Sequence, residues 1–447
     1  MPTVPFRVLM LRAALVLFAA GFPVAAQAGI VYLGQAAIPG NSSDTSGLGD
    51  TLVNPANPAQ TAPHNQLGGF GSAISHIGGN MFIATPDRGP FDGTVNFFDR
   101  SYRFEIKVNP GTANPVTATL KSTTLLTNES GANLVGLSSA FDPTNSPASL
   151  RFDPEGVRIA GDGSHYFVSD EYGPFVYKFD ANGVRVATYD IGAKFHIASP
   201  SADGAAEVSG NTAGRQANRG MEGLAISPDG TKLYGIMQSP LIQDGALTGT
   251  TRNGTNVRIV EIDLATGATR EFLYQMTSGG NGISEIVAVN DHEFLVVERD
   301  GRAGSAALVK DIVKIDISGA SDIKDVANLP KTGTPAGVVP VTRSIFLNML
   351  DPAFGLAGTN FPEKIEGLTF ANDLADGRHV LLITSDNDLS SINPSRIFAF
   401  AIDRDTLPEY EAQRVAPEPG TLCTMLTGIG LLGAFGYRRS RGRREKN

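Results

Sequence analysis

An internal repeat governs what this chain can fold into. Asp153-Pro154-Glu155-Gly156-Val157 is echoed by Met221-Glu222-Gly223-Leu224 and by Ile365-Glu366-Gly367-Leu368, with Ile283-Ser284-Glu285-Ile286 as a looser copy. Each copy leads to a turn carrying Asp: Asp162-Gly163, Asp229-Gly230, Asp291 and Asp376-Gly377. A second strand-like run follows each turn, at 165–169, 232–237, 293–297 and 379–384. A weaker fifth copy comes first: Gly68 to Ser72, then Met81 to Ala84, then Asp87-Arg88. Two further β-branched or aromatic runs follow each pair, bounded by Gly, Asp, Asn and Pro. Repeated units of about 65 to 80 residues, each with four strands, predict an all-β fold, a β-propeller of five or six four-stranded blades. The last unit lacks an outer strand after Arg396 to Ile402, and Gly29 to Ile38 is placed to supply it by pairing the two ends of the body. A β-sandwich with chance similarity is the competing architecture; long spacing and recurrent Glu-Gly favour the propeller. The stretch from Gly40 to Asn65 reads as a long loop, and convincing amphipathic helices are absent.

Composition narrows the chemistry. With 41% hydrophobic and only 18% charged residues, a chain of 447 residues has ample material for a large core and is not disordered. One Cys excludes a disulfide framework, a Cys-rich zinc site and an iron–sulfur cluster. The net charge of −9 argues against nucleic-acid binding, which needs a basic face. No G-x-S-x-G elbow, H-E-x-x-H, P-loop or dinucleotide fingerprint is present.

The two ends stand apart from the repeats. Residues 1–28 carry Arg7 and Arg12, an apolar run from Ala13 to Ala20, and Ala26-Gln27-Ala28 before Gly29, the order of a secretory signal peptide. Residues 417–447 open with Pro417-Glu418-Pro419, continue through an uncharged run from Gly420 to Tyr437, and end in an arginine cluster from Arg438 to Arg444. As a helix that run reaches about 27 Å, close to the thickness of a bilayer core. The cationic cluster should stay cytoplasmic. The order of tripeptide, span and arginines resembles the PEP-CTERM sorting signal of exopolysaccharide-producing Gram-negative bacteria. That resemblance implies an exosortase as processing partner, transient anchorage in the inner membrane, and then a place at the cell surface or in the exopolysaccharide matrix. A plain C-terminal anchor is the alternative. Residues 29–416 form the remaining domain. Removing 1–28 and 420–447 takes away eight cations and one acid, leaving 28 Lys and Arg against 44 Asp and Glu, a net charge of −16.

The repeated carboxylates are the candidate site. If each Glu-Gly opens the innermost strand of a blade, Glu155, Glu222, Glu285 and Glu366 reach one level of the central channel. The acids that end the next strand (Asp170, Glu171, Glu298, Asp300, Asp386 and Asp388) return to the same mouth. Carboxylates this close raise one another's pKa unless a cation or Arg neutralises them. Oxygen-only clusters suit Ca²⁺, whereas zinc is disfavoured because the six His show no paired spacing. Arg88, Arg219, Arg299 and Arg302 lie beside the motifs and can grip phosphate or carboxylate. The alternative for the acids is a clamp on the backbone of the next blade, and for the arginines an ion pair with these same acids.

The stretch from Asp153-Pro154-Glu155-Gly156 through Ser169-Asp170-Glu171-Tyr172-Gly173-Pro174, with Arg219-Gly220-Met221-Glu222-Gly223-Leu224, Val297-Glu298-Arg299-Asp300 and Lys364-Ile365-Glu366-Gly367-Leu368, resembles the phytase-like family named for esterase-like activity of phytase. The resemblance runs from about Leu67 to Ile402. It implies a secreted propeller that hydrolyses phosphate or carboxylic esters of small molecules. By fold-level comparison with calcium-dependent propeller phytases, Glu155, Asp170, Glu171, Glu222, Glu298, Glu366 and Asp386 are the implied metal-binding set. Glu155, Asp170, Glu171 and Glu222 are the implied catalytic set, and Arg88, Arg219 and Arg299 the substrate-binding set. Two departures stand out: Gln238 replaces an acid in the third unit, and Ser284-Glu285 replaces Glu-Gly in the fourth. The rival expectations are a non-catalytic matrix-binding propeller and a calcium-dependent lactonase.

Overall fold

The computed structural model describes residues 29–142 and 149–416. The signal-like N-terminal segment and the tail with its proline tripeptide, apolar run and arginine cluster lie outside the described residues. Among the described residues no helix is long and apolar enough to cross a membrane.

Five four-stranded antiparallel sheets form a ring, the smaller of the two predicted propellers. From the axis outward, blade 1 is Ala73–Gly78, Met81–Thr85, Arg100–Val108 and Val116–Leu125. Blade 2 is Pro154–Ile159, Tyr166–Asp170, Phe175–Phe179 and Arg185–Asp190. Blade 3 is Met221–Ile226, Lys232–Met237, Asn256–Asp263 and Thr269–Gln275. Blade 4 is Asn281–Ala288, Glu293–Asp300, Lys310–Asp316 and Thr342–Asn348. Blade 5 is Lys364–Ala371, His379–Asp386 and Ser395–Ile402, completed by the N-terminal strand Ile30–Ile38. That strand pairs antiparallel with Ser395–Ile402, Ile30 opposite Ile402, so the ring closes as the sequence suggests.

The inner strand of blade 1 starts at Ala73, later than the predicted 68–72. The 40–65 loop contains a small hairpin, Thr51–Val53 with Thr61–Pro63. One short helix, Gly204–Gly210, sits in the connection between blades 2 and 3, capped by the Asp203 carboxylate.

The inner strands of blades 2 and 3 are buried at every position, because each is walled by the neighbouring blades and by its own second strand. In outer strands burial gives way to alternation, as on Val116–Leu125. The cores lie between blades; Tyr234 of blade 3, for example, packs on Phe294 of blade 4 at 4.6 Å.

The Glu-Gly repeat has a structural cause. In blades 2 to 5 the pairing of first and second strands slips at this point: between Pro154 and Val157, Met221 and Gly223, Ile283 and Glu285, and Ile365 and Leu368. Each slip is a β-bulge, which leaves ladder groups unpaired and re-aims a side chain. The Gly brings adjacent inner strands close. A Cβ on Gly156 would lie 2.5 Å from Leu224, and one on Gly223 only 2.7 Å from the Glu285 Cα.

A strap beyond blade 5 crosses the far end of the channel. Tyr410 is wedged between Phe370 and His379, with ring centroids 4.2 and 4.7 Å away. Glu411 N–H then donates to the Val289 carbonyl, Arg414 N–H to Pro228 and Ala416 N–H to Gly161, reaching blades 4, 3 and 2 in turn. His379 is buried under this strap and bonded to Asp373 at 2.9 Å.

Candidate functional site

At the opposite end of the channel lies a polar cavity of about 510 Å³. Its floor is made by the bulged inner strands, and it contains Glu155, Glu171, Glu222 and Glu366 together with Arg88, Arg219 and Arg299. Three blades therefore deliver glutamates to one place, because the bulge aims each toward the axis.

The densest part is Asp153, Glu155 and Glu171, all buried, each offering a carboxylate oxygen within 4.8 Å of the others. Asp153 is held by Arg88, whose backbone N–H and guanidinium donate to its two oxygens at 2.9 and 3.2 Å. Arg88 is also tied to Asp92. Glu171 Oε1 accepts from the Gly220 N–H at 3.2 Å. Glu222 Oε1 accepts from Gln238 Nε2 at 2.8 Å, while Oε2 is buried without a hydrogen bond among the described residues. The Glu171 carboxyl meets that of Glu222, a contact that needs a shared proton or a cation.

Burial is the first cause of raised pKa throughout the cluster. It lifts Glu155 well above the usual carboxylate range, helped by Glu222, Asp153, Glu171 and Glu366. It lifts Glu171 likewise, helped by Glu222 and opposed by Arg88. Glu222 is pushed up to about 7 by burial and by Glu366, against a hydrogen bond from the Glu171 carboxyl, Arg299 and the Gln238 hydrogen bond.

Other predicted residues fall elsewhere. Asp170 does not reach the cavity: burial pushes it up to about 6, and its Oδ1 accepts from the backbone N–H groups of Asp153 and Tyr172 at 3.2 and 3.0 Å. It shapes the turn that presents Glu171. Glu298 is likewise spent. It accepts from the Thr277 N–H, Asn281 Nδ2, the Tyr274 hydroxyl and Arg343 at 2.7–2.8 Å, so no lone pair is left for a metal. Asp386 lies in a second acidic group with Asp87 and Asp388, but Lys364 fills it, 3.0 Å from Asp386 and also bonded to Asp388. Glu366 lines the cavity yet is paired with Arg299 Nη2 at 2.7 Å. Asp300 closes its own loop through the Leu308 and Val309 N–H groups.

Glu285 is not at the level of the other glutamates. Ser284 occupies their place, its hydroxyl accepting from Arg299 Nε at 2.9 Å, and Glu285 occupies the place of the Gly. Its Oε1 accepts the Leu224 and Ile286 N–H groups at 2.9 Å, and Oε2 faces Arg158 at 3.1 Å. Arg158 also donates to the carbonyls of Ile74, Val157, Ile286 and Leu368, from four blades. This pair plugs the channel beneath the acidic cavity.

Three participants escaped sequence reasoning. Asp153 stands beside the first Glu-Gly, and its position before Pro154-Glu155 is the only signal. Gln238 stands as a departure from acid, yet supplies the donor that orients Glu222. Arg158 is a single cation within an apolar strand, and nothing in the sequence gives it five partners.

Arg219 reaches the cavity from the connection between blades 2 and 3. That connection is pinned by Glu207, which is buried between Arg215 and Arg151, and by Arg215 Nε donating to the Tyr172 carbonyl at 2.6 Å.

A five-bladed propeller with a carboxylate-lined cavity above a plugged channel defines the class. The chain belongs to the phytase-like family, described as having the esterase-like activity of phytase, whose profile matches residues 65–389. An uncharacterized secreted protein of Arthroderma benhamiae is 29% identical over 54% of this chain; the match spans 60% of the length of that relative. Among solved structures, the PQQ domain of pyranose dehydrogenase from Coprinopsis cinerea matches with a TM-score of 0.36 and 12% identity, covering 83% of this chain and 94% of that one. A putative 6-phosphogluconolactonase from Bacteroides uniformis matches with a TM-score of 0.31 and 11% identity, covering 79% and 96%. Neither likeness bears on the chemistry of the site.

Proposed function

We propose that this protein is an exported hydrolase of phosphate or carboxylic esters, with Glu155, Glu171 and Glu222 as its working carboxylates. The observation that carries the reading is their convergence in one cavity, with Glu222 Oε2 buried and without a hydrogen bond among the described residues. The family's described esterase-like activity supports it. Export rests on the signal-like N-terminus and the sorting-type tail, and the secreted relative supports it. The tail's exosortase and matrix partners belong to the same proposal.

The donor set fits a divalent cation. It is all oxygen, several carboxyls stand too close to ionise together, and the buried Glu222 Oε2 makes no hydrogen bond among the described residues. Glu155, Glu171 and Glu222 would hold it, because Asp153 is already engaged by Arg88. When bound, a Ca²⁺ ion would supply charge neutralisation and polarise the ester oxygen.

The chain's own residues do the rest. Gln238 fixes Glu222, whose carboxylate is placed to accept a proton from an attacking water. The water oxygen bonds to carbon or phosphorus, the ester C–O or P–O bond breaks, and the alcohol leaves with a proton returned by Glu222. Arg219 orients an anionic group on the substrate. The test is hydrolysis of 4-nitrophenyl phosphate and 4-nitrophenyl butyrate by the purified protein and by Glu222→Gln. A loss of at least 100-fold in kcat is expected; full activity in the variant, or no cleavage of either ester, would sink the proposal.

A further inference from the structure

We infer that the cavity accepts esters bearing at most one anionic group and rejects polyphosphorylated ones, with Arg219 setting that limit. The inference rests on the hydrolase reading and narrows its substrate class. Charge inventory carries it. Eight carboxyl groups line the cavity beside four cations, Arg88, Arg219, Arg299 and Lys364. Three of these cations are already committed. Arg88 is bonded to Asp153 and Asp92, Arg299 to Glu366, and Lys364 to Asp386 and Asp388.

Arg219 differs. It is half-buried, its Nη1 donates to the Ser239 hydroxyl at 3.1 Å, and it makes no ion pair among the described residues. Its guanidinium can therefore fork onto one phosphate or carboxylate without breaking an existing pair. Ala205, Val208 and Ala217 line the cavity from the same connection, an apolar wall suited to the organic part of a small ester.

A polyphosphate meets the opposite conditions. Inositol hexakisphosphate, the substrate that defines a phytase, carries roughly 9 to 12 negative charges at pH 7, from six phosphoryl groups of about −1.5 to −2 each. One free arginine cannot offset that load while the other three cations of the cavity stay paired. A cation held by Glu155, Glu171 and Glu222 would be spent largely on those carboxylates. The body's net charge of −16 over residues 29–419 adds long-range repulsion.

The experiment has a kinetic arm and a binding arm, each with and without Ca²⁺. The kinetic arm compares kcat/KM for 4-nitrophenyl phosphate and inositol hexakisphosphate. The binding arm titrates the protein calorimetrically with 4-nitrobenzylphosphonate, which is not hydrolysed, and with inositol hexakisphosphate. Expected are a kcat/KM at least 100-fold lower for the hexakisphosphate and phosphonate binding weakened at least tenfold by Arg219→Gln, with partial rescue by Arg219→Lys. Hexakisphosphate turnover or binding within tenfold of the single-phosphate probes overturns the inference, as does phosphonate binding indifferent to Arg219. If the phosphonate binds through Arg219 while no ester is cleaved, the hydrolase reading fails and the charge limit stands.

Discussion

Replacing Glu222 by Gln should stabilise the protein at pH 8 while disabling it. Glu222 is fully enclosed, and its carboxyl, ordinarily near 4.5, is pushed up to about 7, first by burial and then by Glu366. A group whose folded pKa is raised favours the folded state below its unfolded value, and that advantage is lost as pH climbs through the folded value. Here the window runs from about 4.5 to about 7. At about 1.36 kcal/mol for each pKa unit, ionising Glu222 above that window costs about 3 kcal/mol. The amide of Gln keeps the shape, can still bond Gln238, and can donate to Glu171. The chain has no Trp, so unfolding is best followed by circular dichroism in urea, at pH 5 and pH 8, in the presence of chelator. Expected is a gain of about 2–3 kcal/mol for Glu222→Gln at pH 8, shrinking toward zero at pH 5. Saturating Ca²⁺ should reverse the order, because only the wild type keeps the full ligand set and binding adds to stability. A variant less stable than wild type at pH 8 in chelator would refute the idea that these carboxylates are held against their own repulsion.

Two further outcomes follow from the axis of the ring. Arg158→Met removes a buried cation with four carbonyl partners and strands Glu285, so a loss of about 3–5 kcal/mol is expected in urea denaturation, partly recovered by Arg158→Met with Glu285→Leu. A loss below about 1 kcal/mol would show that the plug is not structural. Gly223→Ala places a methyl group 2.7 Å from the Glu285 backbone, and should cost about 1–3 kcal/mol by parting blades 3 and 4; an unchanged urea midpoint would contradict the close approach.

The ring itself was legible because its signal repeats. Glu-Gly, the Asp turn and the second strand recur in order, and a repeat survives local irregularity. Glu155, Glu222 and Glu366 were legible for the same reason, since a conformation shared by several blades carries its side chain to the same level. What the repeat could not convey was register. The bulge puts Ser284, not Glu285, in line with the glutamates, and one residue of slip sends Glu285 to the plug below. Nor does sequence show which acids are already satisfied. Asp170 and Glu298 stand at repeated positions, but backbone N–H groups, a tyrosine and an arginine take up their lone pairs. Gln238 lacks a charge and so carries no ligand signal, although its amide decides how Glu222 sits. The strap at 407–416 has no period at all; its hold comes from Tyr410 and from backbone donors that any sequence possesses.

Glu155, Glu171 and Glu222 are proposed as a cation-assisted ester-cleaving centre. Its most direct test is the initial rate of 4-nitrophenyl phosphate and 4-nitrophenyl butyrate hydrolysis, measured against free Ca²⁺ for wild type and Glu155→Gln. The predicted result is a rate that rises with Ca²⁺ to saturation, disappears in chelator, and falls at least 100-fold in the variant. A rate indifferent to Ca²⁺ and to Glu155, or none above the uncatalysed background, would contradict it.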